Sequence, residues 1–394
     1  MSAFFLPEDV RWILNKMQSA GFRADIVGGP VRDMIRGVKP YDFDITTSAI
    51  PEETKAVFRG ERIIETGIKH GTVTLIKNGE QYEITTYRID GEYEDSRHPK
   101  AVSFTTRIED DLARRDFTVN AIAYSEEHGI TDPFSGKADI EKKIIRTVGK
   151  AEDRFDEDAL RIIRGIRFAS TSGFSIEEKT KAAMLSKAHL LSNISKERIF
   201  TEWKKLIDGE CAVPVLAEFK EVTDVFFPEV KVPENINIDA FYSASLLAKH
   251  ISLFVSAGEE KYQSAMCRMK TDRATSDIGK TVIRSVGKYK NDDISLAYML
   301  RDLGFESAKI LLECEKILGL ENESKIEKLI NVAESGVPYK LSMLAINGSD
   351  LMKQGLIGED IGKTLHVIQE LVLSGQLKNE KAQLIEKVKE LYNY

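Results

Sequence analysis

The sequence predicts an α+β protein, in which a small mixed sheet with helices is followed by a long helical array. Strand-like runs such as ADIVGG, DFDITT and YEITTYR alternate with helical runs over the first 150 residues. The Asn78-Gly79 pair lies between two strand patterns and is a strong hairpin signal. After Ala151 the apolar residues recur almost only at helical spacing. We therefore expect the sheet to lie within residues 1–150.

The first element is predicted to be a helix, with one apolar stripe formed by Val10, Ile13, Leu14 and Met17. This segment has neither the basic region nor the long apolar region of a secretory signal. No run of the chain approaches the roughly 18 apolar residues of a membrane span. We therefore expect no membrane association.

The three cysteines are far apart and odd in number, which fits neither a zinc site nor a disulfide framework. A reducing, cytoplasmic environment is expected. The 394-residue chain has a net charge of −7, which argues mildly against a nucleic-acid partner. Residues 159–207, however, contain ten basic and four acidic side chains. Charges are screened beyond about 8 Å in physiological salt, so the negative charge of the rest of the protein does not prevent such a local basic surface from binding phosphates. The alternative is a solvated helix face.

A glycine pair precedes the second predicted helix. Gly28 and Gly29 follow the apolar run ADIV, and Arg32 lies in the first turn of the helix PVRDMIR. Glycines let the backbone approach a phosphate closely, and a helix N-terminus presents free N–H groups to an anion. An arginine can bind two phosphate oxygens at once. The pattern indicates a phosphate-binding turn, although a Gly-Gly pair alone is more often an ordinary turn.

Two aspartates follow in the run DFDIT. Side chains alternate along a strand, so Asp42 and Asp44 are expected on one face, with Phe43 and Ile45 directed into the core. Neighbouring carboxylates repel unless a cation lies between them, and Mg²⁺ binds through one or two carboxylates together with substrate phosphates. The pair therefore predicts a Mg²⁺ site. The alternative is a D-x-D pattern on a solvated strand or turn.

The pattern G-G-x-V-R-D followed by D-x-D resembles the signature of class II tRNA nucleotidyltransferases and bacterial poly(A) polymerases, in the polymerase-beta-like superfamily. The resemblance covers roughly residues 20–205. It implies a catalytic nucleotidyltransferase head at residues 1–150 and a helical neck with a nucleotide-selecting helix at residues 151–210. A helical body at residues 211–300 and a helical, tRNA-binding tail at residues 301–394 would follow.

The block DLARRDFTVNA, residues 111–121, is similar to the R-R-D block of this family. The resemblance implies that Arg115, with Arg114, contacts the triphosphate or ribose. It also implies that Asp116 and Asn120 hold the sugar and distinguish a ribonucleotide by its 2′-hydroxyl. Without the other blocks, an exposed arginine pair with a local aspartate partner is the simpler interpretation.

Two further blocks support the resemblance. Glu83, on the second strand of the predicted hairpin, is the candidate for a third acid that accepts a proton or binds metal; the alternative is an exposed strand residue. Residues 132–149 resemble the hinge block between head and neck, in which Asp132, Gly136 and Arg146 would connect the two parts. A surface loop and helix is the alternative for this block.

The block EDALRIIRGIR, residues 157–167, is predicted to select the base. Asp158 and Arg161 are three residues apart, which on a helix places them on one face. Asp158 can accept from the amino group of cytosine or adenine while Arg161 donates to the ring nitrogen; uracil and guanine present a carbonyl there. Arg164 and Arg167 follow at the same spacing and are candidates for base stacking or phosphate contact. The alternative is an intrahelical Asp–Arg salt bridge.

Residues 87–104 resemble the flexible loop of CCA-adding members, with the pattern G-x-Y-x-D-x-R-x-P, except that His98 replaces a more usual arginine. The resemblance as a whole implies template-independent addition of C, C and A to the 3′ end of tRNA from CTP and ATP. Asp42 and Asp44 would hold two Mg²⁺ ions, and pyrophosphate would be released. The alternatives are a poly(A) polymerase, a CC- or A-adding enzyme, or a non-catalytic RNA-binding protein. The oligomeric state is left open between monomer and homodimer.

Overall fold

The computed structural model describes residues 4–40, 42–91, 102–320 and 324–392. The chain divides into two compact units, Met1–Pro228 and Glu229–Tyr394. The first unit contains all strands of the described residues, and the second is helical. The loop predicted at residues 87–104 lies largely outside the described residues, since residues 92–101 are not among them.

The strands of the first unit are short. They are β1 (Ala24–Val27), β2 (Ile45–Thr47), β3 (Arg62–Ile64), β4 (Thr72–Lys77), β5 (Glu80–Thr86), β6 (Arg88–Asp90), β7 (Val102–Phe104), β8 (Ala123–Ser125), β9 (Gly129–Thr131), β10 (Ile144–Ile145) and β11 (Ser175–Ile176). The described residues form one seven-stranded sheet, in the order β3-β4-β5-β2-β1-β8-β9. Within it β2 and β5 are parallel and the other pairs are antiparallel. The predicted mixed sheet is thereby confirmed.

The helices of the first unit surround this sheet and continue beyond it. They are α1 (Glu8–Ser19), α2 (Gly29–Ile35), α3 (Pro51–Val57), α4 (Ile108–Ala113), α5 (Gly136–Lys142), α6 (Ala151–Glu157), α7 (Leu160–Ser172), α8 (Glu178–Lys187), α9 (Lys196–Ile207), α10 (Ala212–Glu218) and α11 (Lys220–Asp224). Short 3₁₀ helices lie at Ile68–His70, Thr118–Asn120 and Ala188–Asn193. The predicted stripe of α1 is confirmed, because Val10, Ile13, Leu14 and Met17 are its buried residues.

The predicted hairpin is formed by β4 and β5. Asn78 and Gly79 connect the strands with φ angles of 51° and 89°. Both angles lie in the left-handed region, which Asn and Gly adopt with little strain. The turn sets the register in which Ile84 of β5 pairs with Val73 of β4 on one side and with Ile45 of β2 on the other.

The hinge block connects the sheet to the following helices. The Asp132 carboxylate accepts hydrogen bonds from the backbone N–H groups of Gly136 and Lys137 at the start of α5. Gly136 packs directly on Thr118, whose carbonyl carbon would lie 2.7 Å from an added Cβ. Arg146 pairs with Asp139 of α5 and with Glu177 at the N-terminus of α8. The side chain of Arg146 thus links α5 to the N-terminus of α8, and a hinge role between head and neck stays a prediction.

Helix α7 packs closely against the head. A Cβ added to Gly165 would lie 2.8 Å from Cζ of Phe117, so only glycine allows this approach. Phe117 also makes an edge-to-face contact with Phe168 of α7. On its other side α7 packs against α9, and the Ser170 hydroxyl donates to the carbonyl of Leu206 at 2.6 Å. The arginines of α7 are thereby held beside the head.

The second unit is built from helices. They are α12 (Ile238–Ser243), α13 (Leu246–Ser252), α14 (Glu259–Arg268), α15 (Arg273–Ser285), α16 (Asp293–Leu303), α17 (Phe305–Ile317), α18 (Ser324–Glu334), α19 (Gly348–Met352), α20 (Glu359–Leu373) and α21 (Lys381–Tyr392), with 3₁₀ helices at Val255–Ala257 and Leu341–Met343. Lys325 and Glu315 form an ion pair whose side chains are each 1% exposed. Among the described residues, none of the helices is long and apolar enough to cross a membrane.

The predicted fold class is confirmed, with a mixed sheet in the head and a mostly helical remainder. One short strand interrupts the predicted helical array, because β11 pairs with β10 and so ties residues 175–176 to the hinge block. The predicted divisions after residues 150, 210 and 300 stay predictions. The boundary between the two compact units falls after Pro228.

Candidate active site

The glycine turn forms one wall of the site. β1 ends at Val27, and α2 begins at Gly29, one residue before the predicted start of the helix at Pro30. Gly28 between them has a φ of 81° and a ψ of −128°, which side chains rarely tolerate. An added Cβ at Gly28 would also lie 3.0 Å from Nη1 of Arg115. The turn therefore brings the backbone and the Arg115 guanidinium together.

Asp42 and Asp44 lie beside this turn, and both are exposed. The backbone N–H of Val27 donates to the carbonyl of Asp44 at 3.0 Å, which places Asp44 next to the last residue of β1. The expectation that both aspartates belong to a strand was wrong, since β2 begins only at Ile45. The pair lies in the irregular segment that leads into β2, although the carbonyl of Asp44 is already hydrogen-bonded to β1.

The electrostatics of Asp44 fit a cation site. Partial enclosure by the protein raises the pKa of the Asp44 carboxyl, the neighbouring Asp42 raises it further, and Arg115 lowers it. A bound cation would relieve the repulsion between the two carboxylates. The oxygen-only donor set suits a hard divalent ion.

The candidate third acid lies on the neighbouring parallel strand. Ile84 of β5 pairs with Ile45 of β2 in parallel. Glu83 and Asp44 directly precede these two residues, so they occupy equivalent positions in the register. Glu83 is exposed. Within the described ranges, however, no three Asp, Glu, His or Cys side chains are close enough to hold one metal ion together. A metal or proton-accepting role for Glu83 stays a prediction.

The arginine pair is anchored by a buried carboxylate that the sequence analysis did not single out. Asp111 is fully buried and accepts from Arg114 at 2.9 Å and from Arg115 at 3.4 Å. It also accepts from the hydroxyl of Thr46, in β2. Burial alone would raise the pKa of Asp111, but Arg114 and Arg115 lower it below its ordinary value. Nε of Arg115 is buried without a hydrogen-bond partner among the described residues.

Asp116 connects Phe117 and Asn120 to α7. One carboxylate oxygen accepts from the Phe117 backbone N–H at 2.8 Å and from Nδ2 of Asn120 at 3.1 Å. The other accepts from Nε and Nη2 of Arg164. Burial raises the pKa of Asp116, but Arg164 and these hydrogen bonds outweigh burial and lower the pKa to about 2. Oδ1 of Asn120 accepts from Nη1 of Arg32 at 2.7 Å, so the network extends to α2.

The arginines of α7 and α2 surround one aromatic ring. Phe168 lies 3.7 Å from the guanidinium carbon of Arg167, 5.3 Å from that of Arg32 and 5.5 Å from that of Arg164, measured to the ring centroid. The buried carboxylate of Glu202, in α9, pairs with Arg167 at 3.0 Å and with Arg164 at 3.5 Å. Glu202 was also missed by the sequence analysis, because its partners lie 35 and 38 positions away.

The predicted base-selecting pair has a different geometry from the one expected. Asp158 does not lie on a helix: its φ and ψ of −144° and 100° are extended, and α7 begins at Leu160. Asp158 pairs with Arg198 of α9 at 2.9 Å. Arg161 is only 8% exposed and pairs with Glu157 at 2.6 Å. Neither the expected shared helix face nor the alternative Asp158–Arg161 salt bridge is found among the described residues.

Three family models match the chain. "Poly A polymerase head domain" matches residues 24–146, "Probable RNA and SrmB-binding site of polymerase A" matches residues 173–232, and "tRNA nucleotidyltransferase domain 2" matches residues 247–388. The CCA-adding enzyme of Streptococcus thermophilus strain CNRZ 1066 is 36% identical over 413 aligned residues that cover 98% of each chain. The CCA-adding enzyme of Bacillus cereus strain AH187 is 37% identical and covers 94% of each chain.

The chain belongs to the family of CCA-adding enzymes. Its fold agrees with this assignment. The crystal structure of the Bacillus stearothermophilus CCA-adding enzyme in complex with CTP has a TM-score of 0.82 to this chain, at 31% identity, and the match covers 99% of this chain and 100% of that one.

The family assignment divides the candidate site into two parts. The turn at Gly28, the aspartate pair and the residues from Asp111 to Asn120 lie within the match to the head domain of polymerases. The segment from Asp158 to Arg167 lies between the first two matches. In this CCA-adding family member, α7 and its contacts with Asp116 join these two parts of the site.

Proposed function

We propose that the protein adds C, C and A, one nucleotide at a time and without a nucleic-acid template, to the 3′ end of tRNA. CTP and ATP are the substrates, and pyrophosphate is released. One observation carries the proposal: the Asp42–Asp44 pair lies beside the Gly28 turn, with Arg115 against that turn. The proposed cation site would thus lie next to the proposed phosphate site. The proposal is also supported by the family, since a CCA-adding enzyme similar to this chain has been crystallised with CTP.

The triphosphate would bind between the glycine turn and the arginine pair. Gly28 and Gly29 leave the backbone accessible, and Arg32, Arg114 and Arg115 supply positive charge. The unpartnered Nε of Arg115 supports this assignment, because a buried N–H without an acceptor is costly unless a ligand supplies one. Asp111 holds both arginines in place before the substrate arrives.

The metal proposed for Asp42 and Asp44 is Mg²⁺. Bound there, Mg²⁺ would activate the tRNA 3′-hydroxyl for attack on the α-phosphorus and would stabilise the charge of the triphosphate. Glu83, on the adjacent strand, is proposed to accept the proton of the attacking hydroxyl or to assist in metal binding. Asp42 and Asp44 themselves remain exposed to the incoming substrate.

The sugar and base would be held by the network around Asp116. Asn120 and Asp116 are proposed to contact the ribose, and their mutual hydrogen bond fixes the amide orientation. Asp158 would accept from the exocyclic amino group of cytosine or adenine. Arg161 uses three of its five N–H groups on Glu157, Arg154 and Arg114, and the remaining ones are proposed to reach the ring nitrogen.

Arg164 and Arg167 are proposed to stack on the base or to contact phosphate. Their pairing with Asp116 and Glu202 holds both guanidinium groups against Phe168. The acceptor arm of tRNA would bind the basic surface of residues 159–207 and the helices of the tail, residues 301–394. Duplex RNA is recognised mainly through shape and phosphate contacts, so no base-specific contacts are expected in the tail. A cytoplasmic location is part of the proposal.

The test is an extension assay on a tRNA transcript that lacks CCA. With CTP alone, the protein is expected to add two C residues and stop; with CTP and ATP, it is expected to add one further A and stop. Long A tails on unrelated RNA with ATP alone would instead identify a poly(A) polymerase. RNA binding without any extension would identify a non-catalytic RNA-binding protein, and either result would overturn the proposal.

A further inference from the structure

The Asp158 carboxylate is held by two donors from different helices. Oδ1 accepts from the backbone N–H of Leu160 at 3.0 Å, at the start of α7. Oδ2 accepts from Nη2 of Arg198 at 2.9 Å, in the first turn of α9. Two carboxylate oxygens offer about four acceptor sites, so each oxygen keeps capacity for a further donor. The side chain of Asp158 is 18% exposed, which leaves it accessible to a ligand.

Arg198 has an unsatisfied atom next to this contact. Its side chain is 26% exposed, but Nη1 is buried and has no hydrogen-bond partner among the described residues. A buried donor without a partner is unfavourable, and such groups in folded proteins call for a functional explanation. The unpartnered Nη1 atom therefore indicates a functional role for Arg198 in addition to its packing between the helices.

Other contacts already join α7 to α9. Glu202 binds Arg164 and Arg167, and the hydroxyl of Ser170 donates to Leu206. The packing of these helices thus does not depend on the Asp158–Arg198 pair. What the pair does control is the orientation of the one carboxylate that faces the base in the proposed function.

We propose that Arg198 is a specificity-determining positioning residue, which holds the Asp158 carboxylate oriented so that its oxygens accept from the base. The inference rests on the proposed function. An acceptor-only group favours cytosine and adenine, which present an amino group, over uracil and guanine, which present a carbonyl. A carboxylate that is free to rotate would lose its alignment with the amino group, and with it part of the preference for cytosine and adenine. Arg198 therefore supports rejection of UTP and GTP through Asp158.

The experiment measures kcat/KM for single additions of CTP and of UTP to a tRNA transcript that lacks CCA. For Arg198→Met, we expect the CTP-to-UTP ratio to fall about tenfold or more, the scale of one lost charged hydrogen bond. Arg198→Lys keeps the charge and is expected to retain most of the ratio. Arg273→Met, at an exposed position at the start of α15 and outside the proposed tRNA-binding surfaces, is the matched control and is expected to leave the ratio unchanged.

A double-variant comparison shows whether Arg198 acts through Asp158. In an Asp158→Ala background, Arg198→Met is expected to cause no further loss of the ratio, because the carboxylate that Arg198 would position is already gone. An equal fall in CTP and UTP addition by Arg198→Met, or additive losses in the double variant, would overturn the inference. If Arg198→Met does not fold, as judged by thermal unfolding, Arg198→Gln serves in its place. Failure of the wild-type protein to add C would instead contradict the proposed function.

Discussion

The Arg164 guanidinium donates two hydrogen bonds to one oxygen of the Asp116 carboxylate, from Nε at 3.0 Å and from Nη2 at 2.7 Å. Arg164 belongs to α7, whereas Asp116 lies in the head just before the 3₁₀ helix Thr118–Asn120. Asp116 is 8% exposed, so the pair is shielded on the carboxylate side. We infer that the proposed contacts to sugar and to base are positioned by one shared ion pair.

The Asp116–Arg164 pair predicts a pH dependence of stability. The pKa of Asp116 is lowered from 3.8 to about 2 in the folded protein, chiefly by Arg164 against the opposing effect of burial. A lowered pKa stabilises the fold above the unfolded pKa, and this contribution is lost as the pH falls through the folded pKa. The shift corresponds to about 2 kcal/mol at neutral pH.

The test compares the wild type with Asp116→Asn by urea unfolding between pH 7 and pH 3. We expect the variant to be less stable by about 2 kcal/mol at pH 7, and the difference to shrink as the pH falls below about 4. Asp153→Asn is the control, because Asp153 is 59% exposed and its partner Lys150 lies 3.7 Å away. A difference that stays constant across this range would contradict the assignment.

Loss of either proposed metal ligand should abolish nucleotide addition without unfolding the protein. For Asp42→Asn and Asp44→Asn we expect kcat to fall by at least about 100-fold, because the cation site loses half of its charge. Both side chains are exposed, so the thermal unfolding midpoint should change little. Single-turnover addition of CTP to tRNA lacking CCA measures the effect, and activity near the wild-type level in either variant would refute the metal assignment.

The role proposed for Glu83 as a third acid can be tested by comparison with Glu80 on the same strand. Glu83 and Glu80 are both exposed residues of β5, but only Glu83 is beside Asp44 in register. We expect Glu83→Gln to lower kcat by about tenfold or more, and Glu80→Gln to leave it unchanged. Equal activities for the two variants would show that Glu83 takes no part in the reaction.

A methyl group added at Gly28 should impair substrate binding, whereas a methyl group added at a control glycine, Gly21, should not. Gly28 and Gly21 both have positive φ angles, of 81° and 88°, so backbone strain disfavours an alanine at both positions. Only at Gly28 does the added Cβ approach Arg115, at 3.0 Å; nothing lies within 4 Å at Gly21. We expect Gly28→Ala to raise KM for CTP, with Gly21→Ala as the control for backbone strain. The same KM for both variants would contradict a phosphate-binding role for this turn.

Local patterns predicted the parts of the fold that depend on neighbouring residues. The stripe of α1, the Asn78-Gly79 hairpin and the turn at Gly28 are set by short-range spacing and by backbone conformations that glycine and asparagine favour. The break between α6 and α7 was not predicted, because the segment from Glu157 to Leu160 contains neither glycine nor proline. Asp158 was therefore placed on a helix that begins only at Leu160.

The partners of the site residues were harder to predict than their identities. Some of these partners can be recognised from their spacing in the sequence. Glu157 lies four residues before Arg161, and Asp111 lies three and four residues before Arg114 and Arg115. These spacings favour ion pairs on a helix. Arg198 and Glu202 left no such signal, because the packing of α9 on α7 brings them to their partners.

The central claim is that a protein carboxylate, and not a nucleic-acid template, distinguishes the incoming base. The most direct measurement is the ratio of CTP to UTP addition by an Asp158→Ala variant, in single turnovers on tRNA lacking CCA. Loss of the only proposed acceptor for the amino group should reduce the ratio by about tenfold or more, mainly by lowering CTP addition. An unchanged ratio in a folded, active variant would contradict the account.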